Sequence, residues 1–270
     1  MKASWGIYHR NRLYYYHLHP NQNIFAFHHQ SMTLRISVWS GPRNVSTALM
    51  YSFAQRPDTA VVDEPLYGYY LKVTGSEHPG KDHLLEVLEK DPDKIISKTI
   101  LGFNDKPVYF IKNMCHHLVG LDESFLDELV NLFLIRDPRE MLPSLVNQLP
   151  HPVLRDTGLD KQLELFKKLK AAGKETFIFD SKDLLLNPEG MLRAFCSFVG
   201  IPFYKQMLAW EAGARPEDGA WAPYWYDNVH KSTGFAQYTP KNEKIRPDLQ
   251  PLMDESIELY EELYKSAVKV

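Results

Sequence analysis

A chain of 270 residues that is 44% hydrophobic and 24% charged has enough apolar material for one large core and suits a single α/β domain rather than two small ones. Its net charge of −3 and pI near 6.4 give no global basic field for nucleic acid or an anionic membrane, so any anion site is expected to come from local groups. Cys115 and Cys196 show neither metal-ligand spacing nor a disulfide framework, which points to reduced, buried thiols in a cytoplasmic setting, and no apolar run approaches the ~18 residues of a membrane span.

Residues 1–31 read differently from the rest. They hold His9, His17, His19, His28 and His29 and the run Tyr14-Tyr15-Tyr16, with no signal-peptide order and no accompanying carboxylate or cysteine that would suggest a metal site. They are expected to be an N-terminal extension, with Met32 as a candidate true start and residues 32–270 as one domain. From there, Thr33–Trp39 alternates apolar and polar residues as a strand and meets the turn Ser40-Gly41-Pro42. Val45–Arg56 has helical spacing and stops at Pro57; Ala60–Val62 is a short strand, followed by a loop at Glu64-Pro65 and a helix. His83–Glu89 is amphipathic, Val108–Ile111 a buried strand, Ser124–Val130 helical, and Asn131–Ile135 another strand that ends at Arg136-Asp137-Pro138. A helix continues from Arg139 to Gln148, with Pro143 as a candidate kink. Then come a helix over Asp160–Ala172, a strand over Thr176–Phe179, a helix over Pro188–Val199, and a last helix from about Pro247 to Ala267. Such alternation predicts a parallel β-sheet flanked by helices on both faces, with ligands beyond the carboxyl ends of the strands.

The segment Gly41-Pro42-Arg43-Asn44-Val45-Ser46-Thr47 joins a strand to a helix. At that junction, free backbone N–H groups and the helix dipole create an anion site. Arg43 adds a fork of donors matched to phosphate or sulfate oxygens, and Ser46 and Thr47 add hydroxyls. A nucleotide P-loop would need a lysine before its Ser or Thr. Neither register of this loop supplies one, which speaks against a P-loop kinase or nucleotide hydrolase.

The loop resembles the 5′-phosphosulfate loop of the sulfotransferase family, with Val45 where the family usually has glycine and Ala48 where many cytosolic members carry tryptophan. Strand 131–135 followed by Arg136, Pro138 and Ser144 is similar to the family's 3′-phosphate segment. Asp183–Glu189 with Phe198–Phe203 is similar to its strand-loop-helix element, Ser181 standing where an adenine-contacting tyrosine is common. The resemblance implies a P-loop NTPase-like sulfotransferase architecture. It also implies 3′-phosphoadenosine 5′-phosphosulfate as co-substrate, adenosine 3′,5′-bisphosphate as product, and no metal. In place of the family's C-terminal phosphate contact stands His230–Gly234, with Lys231 the first candidate donor.

For the base that takes the acceptor's proton, Glu64 is the first candidate. It follows a short strand at the ligand edge, and it aligns with the second glutamate of the Glu-Glu pair in the tyrosylprotein branch. His116 or His117 is the second candidate, since Lys112–His117 resembles the cytosolic branch's Lys-Thr-His segment. There Lys112 would bridge the transferring group. Trp210, Trp221, Tyr224, Trp225 and Tyr226 cluster among prolines and glycines. They are read as the wall of a pocket for a small-molecule or peptide acceptor, as core, or as a homodimer contact, and the sequence leaves all three open. Val45 and Ala48 also leave open a catalytically inactive nucleotide-binding protein.

Overall fold

The alternating pattern resolves into a five-stranded, all-parallel sheet in the computed structural model, which describes residues 4–9, 12–17, 33–240 and 243–270. In the first 31 residues two backbone strands, β1 (Ser4–His9) and β2 (Arg12–His17), pair antiparallel. The rest of the expected extension, and the start at Met32, lie outside the described residues.

The main sheet comprises β3 (Leu34–Ser40), β4 (Thr59–Asp63), β5 (Val108–Met114), β6 (Val130–Ile135) and β7 (Phe177–Asp180), in the order β4-β5-β3-β6-β7. Between β5 and β6 the chain crosses to the far side of β3. The strand order therefore reverses around β3, and a crevice opens beyond its carboxyl end. Ser40 is in register with both Met114 and Leu134, so β3, β5 and β6 end at the same level.

The two faces of the sheet feed two cores by the period-2 rule. Ile36 and Val38 pack with Phe110, Leu132 and Leu134 against Phe53 and Phe195, while Trp39, Ile111 and Phe133 face Leu163 and Phe166 on the other side. Each fully buried side chain of this size contributes about 1.5–3 kcal/mol, and the Phe53–Phe110 stack, 4.2 Å between centroids, fixes helix α1 (Ser46–Ala54) on β5. Both cysteines are free and buried, and no helix among the described residues is long and apolar enough to cross a membrane.

Several boundaries differ from the sequence reading for local reasons. β5 runs three residues past Ile111, because Asn113 donates to Ser37 Oγ at 2.9 Å and Lys112 finds buried carboxylates. The helix expected over Ser124–Val130 is a single 3₁₀ turn, Ser124–Glu128, since Val130 is drawn into the ladder opposite Ile36. The helix after β6 is Pro138–Leu145, ending two residues after Pro143 rather than at Gln148. The last helix, Gln250–Tyr264, follows a 3₁₀ turn at Pro247–Leu249 and stops short of Ala267; beyond it Val268 donates to Ile178 O on the β7 edge at 3.0 Å.

Candidate active site

A cavity of about 310 Å³ lies beyond the carboxyl end of β3, and residues 42–48 form one of its walls. Asn44 shapes that wall: its Oδ1 accepts from Ser46 N at 3.0 Å, which starts α1, and its Nδ2 donates to Leu134 O at 3.3 Å, which ties the loop to β6. Among the described residues the backbone N–H groups of Arg43, Asn44, Val45, Thr47 and Ala48 make no hydrogen bond, and neither do the hydroxyls of Ser46 and Thr47. Arg43 has a backbone φ of 53°, a left-handed conformation that costs a non-glycine residue on the order of 1–3 kcal/mol.

The loop is also wedged from behind. A Cβ on Gly41 would stand 2.4 Å from Thr157 O, so only glycine fits there. Gly41 does not line the main cavity; it supports the loop wall by letting the 157–158 turn close against it.

Arg43 reaches Ser144 through Nε at 3.0 Å and leaves both terminal nitrogens without a protein partner among the described residues. Arg136 donates from Nη1 to Arg43 O at 2.6 Å and from Nη2 to Glu140 Oε2 at 3.3 Å, while its buried Nε has no partner among the described residues. Burial, and then the neighbouring Arg136, lowers the pKa of Arg43 from its usual value. Of the two guanidiniums only Arg136 meets a carboxylate, Glu140, so the wall has donors to spare. Arg43, Ser46, Thr47, Arg136 and Ser144, found apart in the sequence, all line this one cavity.

The facing wall has the opposite arrangement. Glu64, just past β4, lines the cavity and has φ 34°. Its Oε1 accepts from Lys112 Nζ at 2.5 Å, and no described residue hydrogen-bonds Oε2. Lys112 also donates to Asp63 Oδ1 and to Tyr226 Oη, each at 2.8 Å. Asp63 Oδ2 in turn accepts from Tyr226 Oη at 2.6 Å and from Gly219 N at 3.3 Å. Burial raises the Glu64 carboxyl to about 7, against the pull of the Lys112 ammonium. Burial works against the charge of Lys112 as well, but Asp63 and Glu64 hold its pKa well above the usual range.

This geometry reassigns Lys112. It is fully buried, its three donors are all taken, and it does not line the cavity. It sits behind Glu64, not against the space where a transferring group would lie.

The remaining wall is aromatic. His116 and His117 are both buried, in the 3₁₀ turn Cys115–His117 that ends β5. His117 stacks on Tyr67 (5.1 Å, 5°) and on Tyr70 (4.7 Å, 29°), and His116 meets His117 edge-on at 4.7 Å. Burial lowers His116 to about 3 and His117 well below its usual value, so both rings are neutral. Of the late aromatic cluster, Trp221, Trp225 and Tyr226 line the cavity. Trp210 is core, packed on Tyr51 and Phe235, and Tyr224 lies outside, 37% exposed.

Lys231 is exposed and outside the lining; its neighbours Ser232 and Gly234 face the cavity instead. Ser181 is buried and donates to Ile135 O at 2.8 Å, while Leu185, one turn on, lines the cavity. Sequence reasoning missed Tyr67, His78 and Asn228. His78 stands before Pro79-Gly80, and that turn signal is the only local trace of it; its Nδ1 pairs with Tyr67 Oη at 2.8 Å.

A family model described as a sulfotransferase domain matches residues 34–266. The chain is 43% identical over 202 residues to branched-chain-amino-acid aminotransferase-like protein 2 of Arabidopsis thaliana, covering 74% of this chain and 36% of that protein. It is 39% identical over 235 residues to branched-chain-amino-acid aminotransferase-like protein 1 of the same plant, covering 87% and 42%. The chain therefore spans less than half the length of these curated relatives. Among solved structures, the sulfotransferase domain from the Synechococcus PCC 7002 olefin synthase aligns with a TM-score of 0.48 at 17% identity, over 86% of this chain and 96% of that one.

Proposed function

The chain belongs to the sulfotransferase domain family, and from that premise we propose that its cavity binds 3′-phosphoadenosine 5′-phosphosulfate and that the protein moves the sulfuryl group to a hydroxyl or amine acceptor. The observation that carries this reading is the surplus of donors on the loop wall. Among the described residues, Arg43 has two terminal nitrogens without a partner, Arg136 has a buried Nε without one, and the N–H groups of Arg43, Asn44, Val45, Thr47 and Ala48 are unpaired, all beside one cavity. Donors gathered in this number beside one cavity suit an anion, which meets them with charge-assisted hydrogen bonds. Arg43, Ser46, Thr47 and the loop amides would hold the 5′-phosphosulfate; Arg136 and Ser144 would hold the 3′-phosphate.

When bound, the nucleotide supplies an activated sulfuryl group. Glu64 holds Oε2 toward the cavity and takes the acceptor's proton there. A carboxyl near pH 7 suits that task, because it is deprotonated often enough and basic enough. Arg43 and the loop amides balance the charge that grows on the departing phosphate oxygen, so the rate gain is mainly positioning and electrostatics. Lys112 acts through Glu64, fixing Oε1 so that Oε2 faces the acceptor. His116 and His117, neutral and with depressed basicity, rank behind Glu64 as bases.

The test is thermal stabilisation by adenosine 3′,5′-bisphosphate against Mg-ATP, followed by sulfate transfer to an acceptor panel. At 100 times its dissociation constant the bisphosphate should add about 2.7 kcal/mol. Stabilisation by Mg-ATP alone would favour a kinase or nucleotide hydrolase. Stabilisation by the bisphosphate, with no transfer to any acceptor, would favour a binding-only protein.

A further inference from the structure

His116 and His117 are the most unusual polar groups in the cavity. Neither ring makes a hydrogen bond among the described residues: the Nδ1 of each is sealed in the protein, and the Nε2 of each, which is not sealed, is the nitrogen open to a ligand. A hydroxyl that meets an Nε2 contributes about 0.5–1.5 kcal/mol. The stacking around them is well ordered: Tyr67 and Tyr70 hold the ring of His117, and His116 packs edge-on against both His117 and Tyr70. Two rings held this firmly, beside Glu64 and along one cavity, are placed for a ligand that supplies what the protein does not.

We infer that the acceptor side of the cavity selects a small uncharged molecule carrying a second hydroxyl beside the one that is sulfated, read by the unpartnered rings of His116 and His117. This rests on the reading of the site proposed above. A neutral imidazole offers one N–H donor and one ring-nitrogen acceptor. A hydroxyl both donates and accepts, so it matches either tautomer of either ring; an ammonium or a carbonyl matches only half of them. The wall formed by Tyr67, His78, His116, His117, Trp221 and Trp225 holds no charge to pair with an ion. Burial also lowers His78 to about 4, keeping the third imidazole neutral. An ionic substituent there would lose its hydration without compensation. A mono-hydroxylated apolar acceptor would cover the rings and leave their nitrogens unmet, a mismatch that hydrogen-bonding sites reject strongly.

The test uses two matched pairs, phenol with catechol and cyclohexanol with cyclohexane-1,2-diol. Each is assayed for kcat/KM in sulfate transfer and for binding, by quenching of tryptophan fluorescence in the presence of adenosine 3′,5′-bisphosphate. The diol member of each pair is expected to be favoured by at least about tenfold, the effect of one or two hydrogen bonds. His117→Phe keeps an aromatic ring between Tyr67 and Tyr70 and removes both nitrogens; His116→Phe does the same at the neighbouring ring. In one or both variants the diol advantage should fall to within about twofold. A wild-type ratio near one overturns the inference, as does a large ratio that survives both substitutions. If no compound is sulfated, the binding ratios decide by the same criteria, and only the transfer step of the proposed function falls. Absence of binding by all four compounds overturns the inference as well.

Discussion

The two walls that face each other across the cavity are built from the same materials and arranged in opposite ways. Each begins where a parallel strand ends, and each carries a non-glycine residue in a left-handed conformation, Arg43 on one side and Glu64 on the other. On the Arg43 wall the charges are left partly unpaired, with terminal guanidinium nitrogens and loop amides open to the cavity. On the Glu64 wall nearly every polar atom is taken: Lys112 is shared among Asp63, Glu64 and Tyr226, and one carboxylate oxygen is left over. An open wall can bind an anion; a satisfied wall can hold one oxygen still. Under the proposed function the difference assigns binding to one wall and proton transfer to the other, so each should be removable alone.

The largest expected effect comes from Glu64→Gln. It should lower kcat by about 10²–10⁴-fold, the range for loss of a general base. Affinity for adenosine 3′,5′-bisphosphate, measured by calorimetry, should stay within about threefold. Equal losses in both quantities would break the division between the walls. Next in size is Lys112→Met, which strands two buried carboxylates. Removing one partner of a buried ion pair costs about 3–5 kcal/mol, to be read as a lower denaturant midpoint with the bisphosphate absent.

Arg43→Ala acts on the other wall. Loss of its charge-assisted hydrogen bonds should weaken bisphosphate binding by about 1.5–3 kcal/mol while unfolding free energy changes by less than about 1 kcal/mol, because the terminal nitrogens hold nothing among the described residues. The smallest effect is that of pH. Since burial raises Glu64 to about 7, the working carboxylate is lost as pH falls through 7, and kcat should drop about tenfold per unit below it. The same shift has the reverse sign for stability. The folded form binds the Glu64 proton more tightly than the unfolded form, so that contribution is present at low pH and fades between about 4.5 and 7. Glu64→Gln should flatten both profiles.

Much of the loop wall was legible because its signals are local. A strand, a turn at Gly41-Pro42 and a helix start occur within fifteen residues, and Arg136 and Ser144 repeat that grammar after β6. Glu64 was legible for the same reason, lying one residue past a strand. Lys112 was misread because the chain between Val108 and Met114 gives no sign that its polar residues point inward. The register pairs Lys112 with Asp63 across β4 and β5, and only that pairing reveals a buried ammonium. Tyr226 is 163 residues from Asp63, and no spacing rule reaches so far. The aromatic cluster was divided among acceptor wall, core and dimer contact; Trp221, Trp225 and Tyr226 prove to line the cavity, while Trp210 belongs to the core. A loop's path over the sheet edge decides that, not its composition.

The long reach of Tyr226 also has a kinetic meaning. Its hydroxyl closes a ring of contacts between the second strand of the main sheet and a segment near the end of the chain. Contacts that close such large loops bear their entropic cost early and are rewarded late in folding. The Tyr226 contact should therefore be absent when the chain commits to folding. Tyr226→Phe is expected to speed unfolding by about tenfold and to leave the refolding rate within about twofold, as stopped-flow denaturant jumps would show. The hydroxyl that steadies the charge behind Glu64 then acts as a clasp, and its release sets how long the folded molecule survives.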